Sequence, residues 1–252
     1  MTTLVYKKVS DFRVAHPHWF VLCLATLIWV YYLSTLLGTS TAHHHHHAHH
    51  DMHAQTGFAS MTWQWMIMVF AMMLPMTSGT IRNLVNSVPI YRQQLSLALF
   101  IVGYSSVWLV FGVALLLATH MIQALSWTAK LQVLPIAALG YFAAGILSDA
   151  AFRMRLLNAC GSILSPRLRG FKADLDVLTI GLKEGIKCVK TCAHVMIAMH
   201  IAGHGIVQMG ILTAALFYEA TLYRNKKHVL RNTCYALAVY QLIVFYFPHF
   251  GH

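Results

Sequence analysis

WFVLCLATLIWVYYLSTLLG, residues 19–38, runs for twenty positions without a charged side chain. A helix that crosses a bilayer needs about 20 predominantly apolar residues, within a range of roughly 17–25. The run SMTWQWMIMVFAMMLPMTS at 60–78 is equally free of charge, and apolar segments follow at 95–119, 131–148, 206–223 and 232–248. A further stretch of the right length, GIKCVKTCAHVMIAMHIAG at 185–203, carries Lys187, Lys190, His194 and His200. Counting it gives an all-α, polytopic membrane protein of about seven transmembrane helices. The composition agrees: 58% of residues are hydrophobic and 10% charged, against about 45–50% and about 25% in soluble domains.

The formal net charge of +11 suggests nucleic acid in a soluble protein and cationic inner loops in a membrane protein. The positions decide. With the N-terminus inside, seventeen of the eighteen Lys and Arg lie on the inner side or at the inner end of span five, and Lys130 alone lies outside. The bacterial cytoplasmic membrane, with the N-terminus inside and the C-terminus outside, follows as the expected location, and no nucleic-acid partner is needed. The first apolar run is too long for a cleavable signal. One helical membrane domain over 1–252 results, with an outward loop at 39–59 and a basic cytoplasmic loop at 150–184. In that basic loop, Leu175, Leu178 and Leu182 recur at helical spacing and predict an amphipathic helix near 173–184. Five scattered cysteines do not form a secreted disulfide framework.

The outward loop reads TSTAHHHHHAHHDMHAQTG. It holds His43, His44, His45, His46, His47, His49, His50 and His53, eight of the chain's seventeen histidines. Imidazole suits copper, zinc and nickel, and His-rich tracts bind metal compositionally. Without fixed geometry such a tract collects ions and selects poorly among them; a polar linker is the plain alternative.

Two helical faces carry sulfur. In span two, Met61, Trp65, Met68, Met72 and Met76 fall within about 80° at 100° per residue. Thioethers prefer Cu(I) to hard cations, although methionine is also an ordinary apolar packer. In span five, Cys188, Cys192, Met196 and Met199 share one face, with His200 and His204 one turn apart beside it and His194 roughly opposite. Thiols and ionisable groups inside a membrane face a bundle or cavity and mark a site by default, whereas each residue alone reads as core. Met68 and Met72 from span two, with Cys188, Cys192 and Met199 and an outer imidazole from His200, would make one tight Cu(I) site. Glu219 is expected to pair with Lys187 or Lys190.

The pattern Trp65-x-x-Met68-x-x-Ala71-Met72-Met73-x-Pro75 resembles the signature of a bacterial family of predicted metal-binding integral membrane proteins, a domain of unknown function. The second half, with Gly181, Gly185, Cys188, Cys192, Met196, Met199, Gly203, Met209 and Glu219, resembles the same family more loosely, and the likeness covers roughly residues 60–227. Members carry a tighter cysteine cluster followed by Trp, where this chain has Cys188-x-x-x-Cys192 followed by Ala193-His194. The resemblance implies metal and no particular reaction.

The expected function is therefore collection and hand-on or movement of copper, with nickel and zinc as alternative metals, at the outer face of the cytoplasmic membrane. An accessory or structural subunit of a larger membrane complex, such as a copper-dependent oxidase or monooxygenase, is the competing reading. The expected partners are membrane lipid, the metal ion and, on that second reading, other subunits. No acid pair, GxSxG or P-loop is present, so an enzyme is the less favoured class, with haem held by paired histidines left open.

Overall fold

The structure is a computed structural model that describes residues 19–40, 57–124, 135–150, 153, 155, 171–203, 205–221 and 228–247. Every regular element among the described residues is helical. The helices are α1 (Trp19–Ser40), α2 (Phe58–Met73), α3 (Ser78–Asn86), α4 (Gln93–Ala124), α5 (Ile136–Ser148), α6 (Phe171–Ala202), α7 (Ile206–Thr221) and α8 (Val229–Tyr246). The described parts of the seven apolar segments are helical, the second of them broken by the 3₁₀ turn at Pro75–Thr77. Among the described residues, one helix, Ile90–Ile122 with its preceding turn, is long and apolar enough by itself to cross a membrane. The pair Phe58–Met73 and Pro75–Asn86 qualifies only when taken together across a 42° bend. The histidines at 43–53, His204 and Lys130 lie outside the described residues, as does much of the basic loop.

The amphipathic helix expected near 173–184 and the fifth apolar segment form one uninterrupted helix, α6, of 32 residues. No proline interrupts this stretch, and single glycines cost a helix only about 1 kcal/mol each. The helix ends at Gly203, whose φ of +90° suits a residue without Cβ just past a helix C-terminus.

The chain divides into two compact units. Unit 1 comprises Met1–Leu109 with Gly161–Lys183, and unit 2 comprises Val110–Cys160 with Glu184–His252.

In unit 1, α1 packs on α2. Helix α2 stops short because Pro75 lacks the N–H that would bond the Ala71 carbonyl. The indole Nε1 of Trp29 on α1 donates to that carbonyl at 3.2 Å. A 3₁₀ turn over Pro75–Thr77 follows, and the Thr77 hydroxyl donates to the Leu74 carbonyl at 2.7 Å. The buried face of α2 is Trp65, Met68, Val69, Ala71, Met72 and Met73. Trp65 donates its indole N–H to the Trp108 carbonyl at 3.2 Å, and the two rings lie 6.5 Å apart.

Still in unit 1, the N-terminal parts of α4 and α6 cross with backbones in contact. A Cβ at Gly103 would sit 2.5 Å from the Leu178 carbonyl oxygen, and one at Gly181 would strike the Phe100 carbonyl. Small residues at a crossing permit this approach. Arg92 and Asp174 form an ion pair between the start of α4 and the first turn of α6. Gly103→Leu is expected to push the helices apart, costing at least the roughly 1–3 kcal/mol of overpacking. Unfolding of the full chain in mild detergent, followed by circular dichroism, checks this; an unchanged midpoint would show that the crossing contributes nothing.

In unit 2, α5 packs along α8, and α7 also packs on α8. Gly145 of α5 lies against the Tyr235 ring, where a Cβ would collide, and Phe142 meets the same ring at 5.5 Å. The buried Tyr141 hydroxyl donates to Gln208 Oε1 at 2.9 Å and so ties α5 to α7.

Candidate metal centre

Helix α6 places Cys188 and Cys192 on consecutive turns within unit 2. The i, i+4 spacing brings such side chains to the same side of the helix. The Thr191 hydroxyl lies 3.6 Å from Cys192 Sγ and donates back into its own helix. Cys192 is buried and Cys188 partly so. Met196 and Met199 continue the same face and are fully buried. Among the described residues, no three His, Cys, Asp or Glu side chains converge as a metal-holding group. The candidate donor set is two thiols with thioethers along their face. That donor set fits a soft, low-coordinate ion such as Cu(I) and suits hard cations poorly.

A buried ion pair lies behind this face. Arg153 and Glu219 are each 3% exposed. Arg153 meets the carboxylate bidentately: Nη1 donates to Oε1 at 3.0 Å and Nη2 to Oε2 at 2.8 Å. The same guanidinium donates from Nη1 to the Ser148 carbonyl at 3.0 Å and from Nε to the Thr191 carbonyl at 3.2 Å. Ser148 is the last residue of α5, so its carbonyl lacks an intrahelical partner, and a cation there also complements the helix dipole. Arg153 therefore joins the end of α5 to α7 and to the turn of α6 that bears Cys192. Glu219 does not pair with Lys187 or Lys190, as the sequence leads one to expect; Lys187 pairs with Glu184 at 3.6 Å. The planar fork of arginine matches both carboxylate oxygens and fills two carbonyl positions besides, which a lysine ammonium does not.

His194 faces away from the thiols, as its helical position requires. Its Nε2 lies 3.1 Å from Ser148 Oγ, whose hydroxyl donates to the Ala144 carbonyl at 2.7 Å. That bond uses the one hydroxyl proton, so His194 Nε2 carries the hydrogen and donates it to Ser148. His200 is half-buried near the end of α6. Met68 and Met72 are buried in unit 1, whereas Cys188, Cys192, Met199 and His200 belong to unit 2.

The residues that sequence reasoning overlooked are Arg153 and Ser148. Their one visible signal is that Arg153 follows the apolar fourth segment so closely that its side chain reaches the helix end.

Thiols one turn apart with thioethers along their face, on a scaffold that is helical among the described residues, are a donor set suited to a soft metal. The chain belongs to the PpoB2 copper chaperone family, whose model matches residues 62–244. Neither the curated proteins nor the solved structures give a match to it. The match begins after the histidine-rich loop and takes in both sulfur-bearing helices.

Proposed function

We propose that this protein is a copper chaperone of the bacterial cytoplasmic membrane that holds Cu(I) on the Cys188–Cys192 face of α6 and passes it on. The observation that carries the reading is the pair of cysteines on consecutive turns of α6 in a chain of a copper chaperone family. In this reading His43–His50 and His53 gather metal at the outer face, and Met196, Met199 and His200 line the way to the thiols. Met68 and Met72 form a second sulfur face, on α2. The bilayer supplies the solvent for the apolar outer faces: Leu27, Val110, Phe142 and Val207 are each more than half exposed. Seven spans with the N-terminus inside follow from the apolar segments and the distribution of Lys and Arg.

The test is anaerobic Cu(I) titration of the full, untagged chain against a chromophoric Cu(I) chelator, with a variant in which His43–His50 become Ser and Gly. The wild type is expected to bind one ion tightly and several weakly. The loop variant should lose the weak ions, keep the tight one and fold normally, since polar loop residues add little to a helical core. Absence of any tight Cu(I) in the wild type would overturn the proposal, and loss of the tight ion with the loop would move the site there.

A further inference from the structure

Within unit 2 a cleft of about 460 Å³ runs between α5 and α6. The two helices are antiparallel along it: Gly140 lies opposite Ala198 at one end, and Ser148 lies opposite His194 towards the other. Small side chains on both helices, Ala143 and Ala144 on α5 and Ala193 and Ala198 on α6, leave the space open, and Ile197 and Ile201 make its floor apolar. The charged groups are confined to one end, where Arg153 and Lys190 line it. Arg153 is committed to Glu219 and to two carbonyls, which leaves the exposed ammonium of Lys190 as the charge offered to a ligand.

From Lys190 to Ile201 is eleven residues of helix, or about 16 Å at roughly 1.5 Å per residue. That is the reach of an acyl chain of about a dozen carbons. One uncommitted cation at the end of an apolar cleft is complementary to an amphiphile with one negative head and one extended tail.

We infer that the α5–α6 cleft binds an anionic phospholipid, with its phosphate at Lys190 and one acyl chain laid between Ala143 and Ile197. The inference rests on the membrane location proposed above. In the orientation given by the basic residues, Lys190 lies near the inner end of span five (185–203), so the lipid comes from the cytoplasmic leaflet. Its phosphate neutralises an ammonium that would otherwise sit at the edge of the hydrocarbon, and its tail fills a groove that is too apolar to hold ordered water.

The experiment is native mass spectrometry of the full chain, released from mild detergent after equilibration with phosphatidylglycerol or phosphatidylcholine of equal chain length. One retained phosphatidylglycerol is expected, preferred over phosphatidylcholine by about five-fold, the contribution of one basic residue near an anionic surface. Lys190→Gln should bring the ratio close to one and Lys190→Arg should keep it. Ala143→Leu should reduce retention of both lipids by filling the channel. Equal retention of the two lipids by the wild type, or an unchanged ratio in Lys190→Gln, overturns the inference while leaving the copper proposal intact. Detergent phase separation of the same preparation separates the two failures: partition into the aqueous phase would remove the membrane location and this lipid site together.

Discussion

Replacing Cys188 and Cys192 together with serine is expected to eliminate tight Cu(I) binding while the helix stays intact. Loss of a contact that merely supports a metal ligand costs about 10–100-fold in affinity; loss of both thiols removes the ligands themselves and should exceed that range. Serine is close to cysteine in size and keeps a hydroxyl that can bond back into the helix, as Thr191 beside it already does. Burial of Cys192 at 1% exposure means that the serine variant carries a modest stability penalty, so the fold must be followed in parallel by circular dichroism. Copper is measured in the background lacking the histidine loop, where weak ions do not obscure the result. Retention of copper at wild-type stoichiometry and affinity would make the cysteines packing residues. Met199→Leu should have a smaller effect, because it preserves volume and removes a neutral donor.

The largest loss of stability is expected from breaking the Arg153–Glu219 pair on one side. Removing one member of a buried ion pair typically costs about 3–5 kcal/mol, because the other charge is left buried and uncompensated. Glu219→Leu strands a guanidinium that is 3% exposed. The double variant Arg153→Met/Glu219→Leu should recover most of the loss, since apolar replacement of a whole buried pair is often neutral or stabilising by about 1–4 kcal/mol. Recovery should stay incomplete here, because the Ser148 carbonyl at the end of α5 loses its donor. Unfolding midpoints of the two single variants and the double variant in detergent give the coupling directly. Additive losses would mean that the charges do not sense each other.

The helices were legible because each apolar run is bounded by charges, glycine or proline, and the described part of each run is helical, with one break at Pro75. The continuous α6 was harder to read. Hydropathy marks where apolar residues begin, near 185, but the backbone has no reason to stop there, and the amphipathic segment before it continues the same helix. The thiol pair could be found from spacing alone, since four residues bring side chains together on any helix. The partner of Glu219 could not. It lies 66 residues from Arg153, and several cations compete for it in the sequence; only the assembled end of α5, with an open carbonyl beside it, favours the fork of an arginine over a lysine. Met68 and Met72 belong to one compact unit and Cys188, Cys192 and Met199 to the other, a division that periodicity within single helices does not encode.

The proline break in α2 bears on the order in which the chain is made. Helix α1 leaves the ribosome before α2, so Trp29 is already in place when the carbonyl of Ala71, deprived of its helical donor by Pro75, emerges. In hydrocarbon an unpartnered carbonyl costs several kcal/mol. On the membrane location proposed above, the second helix would enter the bilayer at least cost beside the first, with the indole of Trp29 as the built-in companion of the Ala71 carbonyl.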